Sequence, residues 1–320
     1  MLKRLAQCNW QTPIIPRRWL RGLYRKAFLK AGQSDGSLPF ECDFFGLRYA
    51  GDACNVIDFH CFFYGAFEKG HLFFWRDVAG SLFAGQGVYL DIGANVGHHA
   101  LFMTRHCSAV HAFEPYAPVR EKIHEKIRLN RLSNLFVHDV GVGDENITLP
   151  FHAPAGANLG VGSFVDGQAD RAEASQSLQV VKGDDYFTRA IGGHVQMVKI
   201  DVEGFEKNAL TGFRETFARE RPVMVVELTT GLTCSFDSQD EILATLPEDY
   251  LLFRFDLLDK RGRKDKAKSR AFRRQGRYRL APFDFARVGK QADMIAFPRE
   301  RFEAFRTQDA SPQGRGGGTS

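Results

Sequence analysis

The sequence predicts an α/β fold, with a parallel sheet covered by helices on both faces. Two observations carry that prediction. Short apolar runs alternate with stretches of helical periodicity, and this order of elements builds parallel sheets. The first run also enters a turn with glycines four apart, Gly93 and Gly97, as in strand–turn–helix units that bind ligands.

The elements follow in order. Val88–Asp91 is the first strand, and residues 95–106 form a helix with Val96, Ala100 and Met103 on one face. Ala109–Glu114 is the second strand. Residues 116–131 are helical, with Val119, Ile123 and Ile127 at spacing four. Leu135–Val140, Val195–Asp201 and Val223–Leu228 are three further strands, and one helix carrying Ala209, Phe213 and Phe217 lies between the last two. Tyr250–Leu258 and Ala292–Phe297 add two more. Residues 147–182 interrupt the alternation with strand-like runs Ile147–His152 and Leu178–Lys182 around a Gly/Ala/Asp-rich loop. Ahead of the sheet, residues 36–86 are rich in aromatics and form a cover segment of short strands and a helix over 67–83.

Composition bounds the rest. The chain has 320 residues, 44% hydrophobic and 25% charged, which excludes disordered and collagen-like chains. The 29 phenylalanines imply a thick aromatic core, with some left for an apolar groove. Six cysteines without a CxxC pair exclude a zinc ribbon and a disulfide scaffold and point to a reducing cytoplasm. No run approaches the ~18 uncharged apolar residues of a spanning helix.

Charge is uneven. Residues 1–34 hold eight Lys/Arg and no acid, and residues 260–279 hold eleven Lys/Arg against Asp265. Together these segments carry +18 of a net +5, leaving −13 on the body. In the extension 1–35, Trp10, Ile14, Trp19, Leu23 and Phe28 interleave with arginines. That composition suits an anionic membrane surface, and equally an arm packed on the body. Ser311–Ser320 is Gly/Ser/Pro-rich and reads as flexible tail, within a terminal segment 301–320. No nucleic-acid-binding signature accompanies the basic segments, so no nucleic-acid partner is expected.

Chemistry concentrates at strand ends, where open α/β sheets bind ligands. Asp91, Gly93, Asn95 and Gly97 lie at the first turn. Glu114, 23 residues after Asp91, can accept from both hydroxyls of a ribose. Asp139, at the third strand end, can accept from an adenine amine. Asp201 and Glu203, in Lys199-Ile200-Asp201-Val202-Glu203-Gly204, are candidate general bases for a hydroxyl proton. Glu206 is positioned to complement a helix N-terminus. A divalent metal across Asp201 and Glu227 is conceivable, but no spacing demands it, so no metal is expected. His98 and His99 read as packed or capping side chains. The glycine turn and strand-end acid suit a nicotinamide dinucleotide or S-adenosylmethionine, although a third glycine at the dinucleotide spacing is missing.

Together, Leu90-Asp91-Ile92-Gly93-Ala94-Asn95-Val96-Gly97, Phe113-Glu114-Pro115 and Lys199–Gly204 resemble the FkbM-type family of S-adenosylmethionine-dependent methyltransferases over about residues 45–298. The resemblance implies a Rossmann-like, seven-stranded sheet with one antiparallel strand near an edge, occupying residues 87–300 with the basic insertion 260–279. It implies O-methylation of a hydroxyl, usually on a sugar or polyketide, with a saccharide, glycan or glycolipid as the expected acceptor here. Asp91, Gly93, Asn95 and Gly97 would line the cofactor, and Glu114 would hold its ribose. Where members often carry a Leu-Asp-Asp-like element, this chain has Lys182-Gly183-Asp184-Asp185. The N-terminal extension and the basic insertion also fall outside the shared pattern.

Overall fold

The computed structural model describes residues 37–153, 164, 173–232, 234–256 and 278–309. The membrane-suited extension 1–35, the tail Ser311–Ser320 and nearly all of the basic insertion lie outside the described residues.

The chain opens with a hairpin, β1 (Pro39–Phe44) and β2 (Leu47–Asp52), then helices α1 (Val56–Tyr64) and α2 (Lys69–Phe83). Asn55 starts α1 by accepting the Ile57 and Asp58 amides, and Gly65 ends it in a left-handed conformation. Strand β3 (Val88–Ile92), helix α3 (His98–Met103), β4 (Ala109–Phe113), α4 (Ala117–Asn130) and β5 (Leu135–His138) follow. Next come β6 (Gly141–Gly143), β7 (Ile147–Ala153) and β8 (Glu173–Lys182), which form a separate three-stranded sheet in the order β6-β8-β7. Helix α5 (Gly183–Tyr186) and a π turn (Phe187–Ile191) lead to β9 (Met197–Ile200). Helices α6 (Glu206–Gly212) and α7 (Arg214–Glu220), strand β10 (Val223–Thr229) and α8 (Gln239–Thr245) continue the chain. It ends with β11 (Tyr250–Phe255), β12 (Leu280–Pro282), β13 (Gln291–Pro298) and α9 (Arg299–Asp309).

The main sheet is Rossmann-like, in the order β12-β11-β13-β10-β9-β3-β4-β5. Strands β3, β4, β5, β9 and β10 are parallel, and β13 runs antiparallel between β10 and β11. Strand alternation feeds two cores. Tyr89, Met197, Val225 and Phe297 face the side covered by α2, α3, α4 and α9. Leu90, Val198, Val226 and Ala296 face α6, α7 and α8. Both faces are buried, as parallel sheets require.

Three expectations are corrected. The main sheet has eight strands and a second antiparallel one, because β12 pairs with Phe253–Phe255. Three residues are too few to register as an alternating run. The single helix expected over Ala209–Phe217 is two, broken at Phe213. The flexible segment expected from residue 301 is helix α9 as far as Asp309. Its Phe305 is buried against Phe74 and Phe297, and apolar burial offsets the entropy of ordering. No helix among the described residues is long and apolar enough to cross a membrane.

Candidate active site

The sheet order reverses between β3 and β9, which is where open α/β sheets leave a crevice. Backbone hydrogen bonds hold the strand ends level. The Gly93 and Ala94 amides donate to Phe113, the Glu114 amide to His138, and the Asp201 amide to Ile92. Gly93 has φ +77°, and a Cβ there would lie 1.8 Å from the Asp201 carbonyl oxygen. The glycine is therefore fixed by the neighbouring loop as well as by backbone conformation.

A cavity of about 370 Å³ opens over these ends, within the ~300–1,000 Å³ usual for small-molecule sites. Gly93, Asn95, Glu114, Asp201, Glu203 and Glu227 line it. Tyr116, Phe151 and Phe164 form an aromatic wall, with ring centroids 5.3 and 5.2 Å apart in sequence. Val56, Ile57, Phe67 and Glu68 close the cavity from the cover segment.

Glu114 is buried at the end of β4. Its Oε2 accepts from the Asn95 amide at 3.0 Å and its Oε1 from the Tyr116 amide at 2.9 Å. Asn95 presents its amide from a left-handed conformation, φ +53°, with Oδ1 accepting from the Val96 amide. Burial still pushes Glu114 up to about 7. The site thus holds a carboxylate in one orientation, short of the donors that would keep it ionised.

Lys199 points between two acids, with Nζ 3.0 Å from Asp201 Oδ2 and 3.7 Å from Asp91 Oδ1. Burial works to raise Asp201, but the Lys199 ammonium and a hydrogen bond from Glu227 outweigh it, and Asp201 sits below its ordinary value. The charge on Asp201, together with burial, pushes Glu227 far up. Asp201 and Glu227 thus share a hydrogen bond and titrate as a pair, with Asp201 the more acidic partner. Glu203, at φ +50°, accepts from Gln291 Nε2 at 3.1 Å.

Several expected residues lie elsewhere. Asp91 is fully buried behind the turn beside Lys199 and does not line the cavity. Gly97 starts α3 at φ +76°, and a Cβ there would meet Ile123 at 3.0 Å, so it serves helix packing. Asp139 is exposed and off the cavity. The preceding His138 turns inward, stacking on Phe113 at 4.5 Å and meeting the Tyr186 hydroxyl at 3.0 Å. Glu206 accepts the Gly204 and Thr229 amides and ties its loop to β10. Asp184, in the departing Lys-Gly-Asp-Asp element, accepts the Glu215 and Thr216 amides and caps α7.

Sequence reasoning missed a cluster beside the cavity. His71 Nδ1 is 3.4 Å from Glu68 Oε2, and His71 Nε2 is 3.1 Å from Asp293 Oδ2. Burial opposes a charged His71, but these two acids outweigh it and push the imidazole above its ordinary value. His99 Nε2 lies 3.6 Å from the same Glu68 oxygen. The spacing Glu68-x-x-His71 at the start of a helix was the available signal, since residues three apart share a face.

The methyltransferase FkbM domain matches residues 91–255. Among solved structures, methyltransferase FkbM from Methylobacillus flagellatus is 15% identical, with a TM-score of 0.41, over 69% of this chain and 48% of that one. The chain thus spans about half the length of that protein. M. jannaschii TYW2, solved with AdoMet, is 10% identical with a TM-score of 0.37, over 81% of this chain and 84% of its own. An rRNA methylase from Streptococcus thermophilus is 10% identical with a TM-score of 0.37, over 71% and 95%. No curated protein matches the chain.

Proposed function

Because the chain belongs to the FkbM methyltransferase family, we propose that it is an S-adenosylmethionine-dependent O-methyltransferase whose acceptor is a hydroxyl of a saccharide, glycan or glycolipid. The observation that carries the reading is one cavity lined both by a carboxylate fixed by two amides, Glu114, and by a carboxylate held below its ordinary value, Asp201.

The residues suit the cofactor. Glu114 is oriented by two backbone amides and is pushed up for want of further donors, a deficit that the paired hydroxyls of a ribose would supply. Tyr116, Phe151 and Phe164 offer flat faces for an adenine. When bound, the sulfonium donor supplies an activated methyl, whose carbon–sulfur bond breaks with its electron pair left on sulfur as the carbon–oxygen bond forms.

The protein's part is alignment and proton removal. Correct alignment of reacting atoms is worth up to ~7–11 kcal/mol. Phe67, Val56 and Ile57 shield the acceptor side from water. Asp201 accepts the hydroxyl proton, and Lys199 keeps it ionised while it waits. Its lowered pKa makes it a weak base, which suffices when the proton leaves late. An oxygen that has gained a methyl is strongly acidic and releases its proton readily. Glu227 steadies Asp201 through their shared hydrogen bond. Glu203, held by Gln291, faces the same acceptor space. We place the reaction in the cytoplasm, in keeping with the free cysteines among the described residues, and assign residues 1–35 to an anionic membrane surface near the acceptor.

Calorimetric titration with S-adenosylhomocysteine, with NAD in parallel, tests the cofactor. Saturable binding of the first alone is expected, and binding of NAD alone would overturn the reading. Transfer of labelled methyl to a panel of glycan and glycolipid acceptors then tests the substrate class.

A further inference from the structure

We propose that Glu68, His71 and His99 form a binding site for one divalent first-row transition metal of the zinc class, at the margin of the cavity. The three residues bring a ligand atom each to within 4.8 Å of the others. Glu68 Oε2 lies 3.4 Å from His71 Nδ1 and 3.6 Å from His99 Nε2. Bonds of about 2.1 Å in a tetrahedral site place neighbouring ligands about 3.4 Å apart. Two of the three ligand separations are therefore at the spacing a zinc ion imposes, and the third lies within 4.8 Å.

Three further features point to a ligand. His99 is 3% exposed, and its Nε2 makes no hydrogen bond. Leaving such a group unsatisfied costs about 1–3 kcal/mol, and here the orphaned nitrogen faces the Glu68 oxygen. His71 has a carboxylate on its far side, Asp293, at 3.1 Å from Nε2. A metal-bound histidine characteristically donates its other N–H to such a group, which fixes the ring and its tautomer. Finally, Glu68 takes a left-handed backbone, φ +42°, at the start of α2 without capping that helix. Strain at a non-glycine residue persists where the structure has a use for the orientation.

Two imidazoles and one carboxylate favour a transition metal over magnesium, which prefers six oxygen ligands. Three protein ligands leave a fourth position open. Because Glu68 lines the cavity, the ion would border the space assigned to the acceptor. Binding on loading would displace the proton that His71 Nδ1 shares with Glu68. Without a metal, His71 is held between Glu68 and Asp293, and His99 packs on His71 and His98 with its Nε2 lacking a hydrogen bond.

The test uses the full chain, free of any tag and dialysed against EDTA. Zinc chloride is titrated by calorimetry, and a parallel sample is loaded with cobalt for its visible absorption. One equivalent of zinc is expected, with a Kd below about 1 μM, together with tetrahedral cobalt bands. Glu68→Gln and His99→Gln should each weaken zinc at least 100-fold and abolish the bands. Asp293→Asn should weaken it about 10–100-fold. Glu68 is partly exposed, so Glu68→Gln keeps the question open to an answer if His99→Gln fails to fold. Absence of saturable zinc binding, or binding unchanged in Glu68→Gln, overturns the proposal. S-adenosylhomocysteine affinity, measured on the same samples, separates this failure from failure of the methyltransferase reading.

Discussion

The protein buries a lysine among acids in two places. Under the β1–β2 hairpin, Asp58 accepts from the Tyr49 hydroxyl at 2.6 Å and the Asp52 amide at 2.9 Å, and Lys126 lies 4.4 Å from the centre of the Tyr49 ring. Lys126 is wholly buried, and burial holds its ammonium below its ordinary value although Asp58 works against the shift. At the strand ends, Lys199 serves Asp91 and Asp201. The first arrangement is closed, since both Asp58 oxygens have donors. The second is open: Asp201 and Glu227 line the cavity, and His99 Nε2 lacks a hydrogen bond beside Glu68, which lines it too. The closed group clasps the cover segment to α4, whereas the group that opens on the cavity is where a ligand can reach buried charge.

Substitutions can break that contrast. Asp58→Ala should cost about 3–5 kcal/mol of stability, because it strands a buried ammonium, and urea unfolding measures it. Loss under 1 kcal/mol would mean the clasp is ornamental. Asp201→Asn should leave the melting temperature within a few degrees yet lower turnover about 10²–10³-fold, with S-adenosylhomocysteine affinity within threefold. Equal losses in turnover and affinity would move Asp201 from proton acceptor to ligand holder. Glu114→Ala should weaken S-adenosylhomocysteine about 10–100-fold, the range for hydrogen bonds to a charged group; unchanged affinity would remove it from the ribose site.

The smallest effect is a pH dependence. The proposed ribose donates to the ionised form of Glu114, whose pKa is raised to about 7. Affinity should therefore be full above that pH and fall as pH drops through it, by at most about tenfold per unit. In Glu114→Ala the slope should vanish. A wild-type affinity flat between pH 6 and 8 would contradict the assignment.

Much of this was legible in the sequence. The runs at Val88, Ala109, Val195 and Val223 could be read because strands buried on both faces are continuously apolar. Gly93, Asn95, Glu114, Asp201 and Glu203 could be placed at strand ends, and the fold brings those five to one cavity. Side-chain direction was less readable. Asp139 ends its strand as Glu114 does, yet the fold leaves it in solvent while His138 takes the inward position. Gly97 looks like a ligand glycine, but the distant Ile123 dictates it. The cluster of Glu68, His71, His99 and Asp293 joins residues up to 225 positions apart, and single-sequence spacing cannot bring such positions together.

The family match begins at Asp91, yet Val56, Ile57, Phe67 and Glu68 wall the same cavity. The chamber is therefore built from two stretches: residues 91–255 supply Glu114 and Asp201, and the segment ahead of them supplies Val56, Ile57, Phe67 and Glu68. Exchanging residues 37–87 between relatives would replace one side of the chamber while leaving the other side's covalent framework intact.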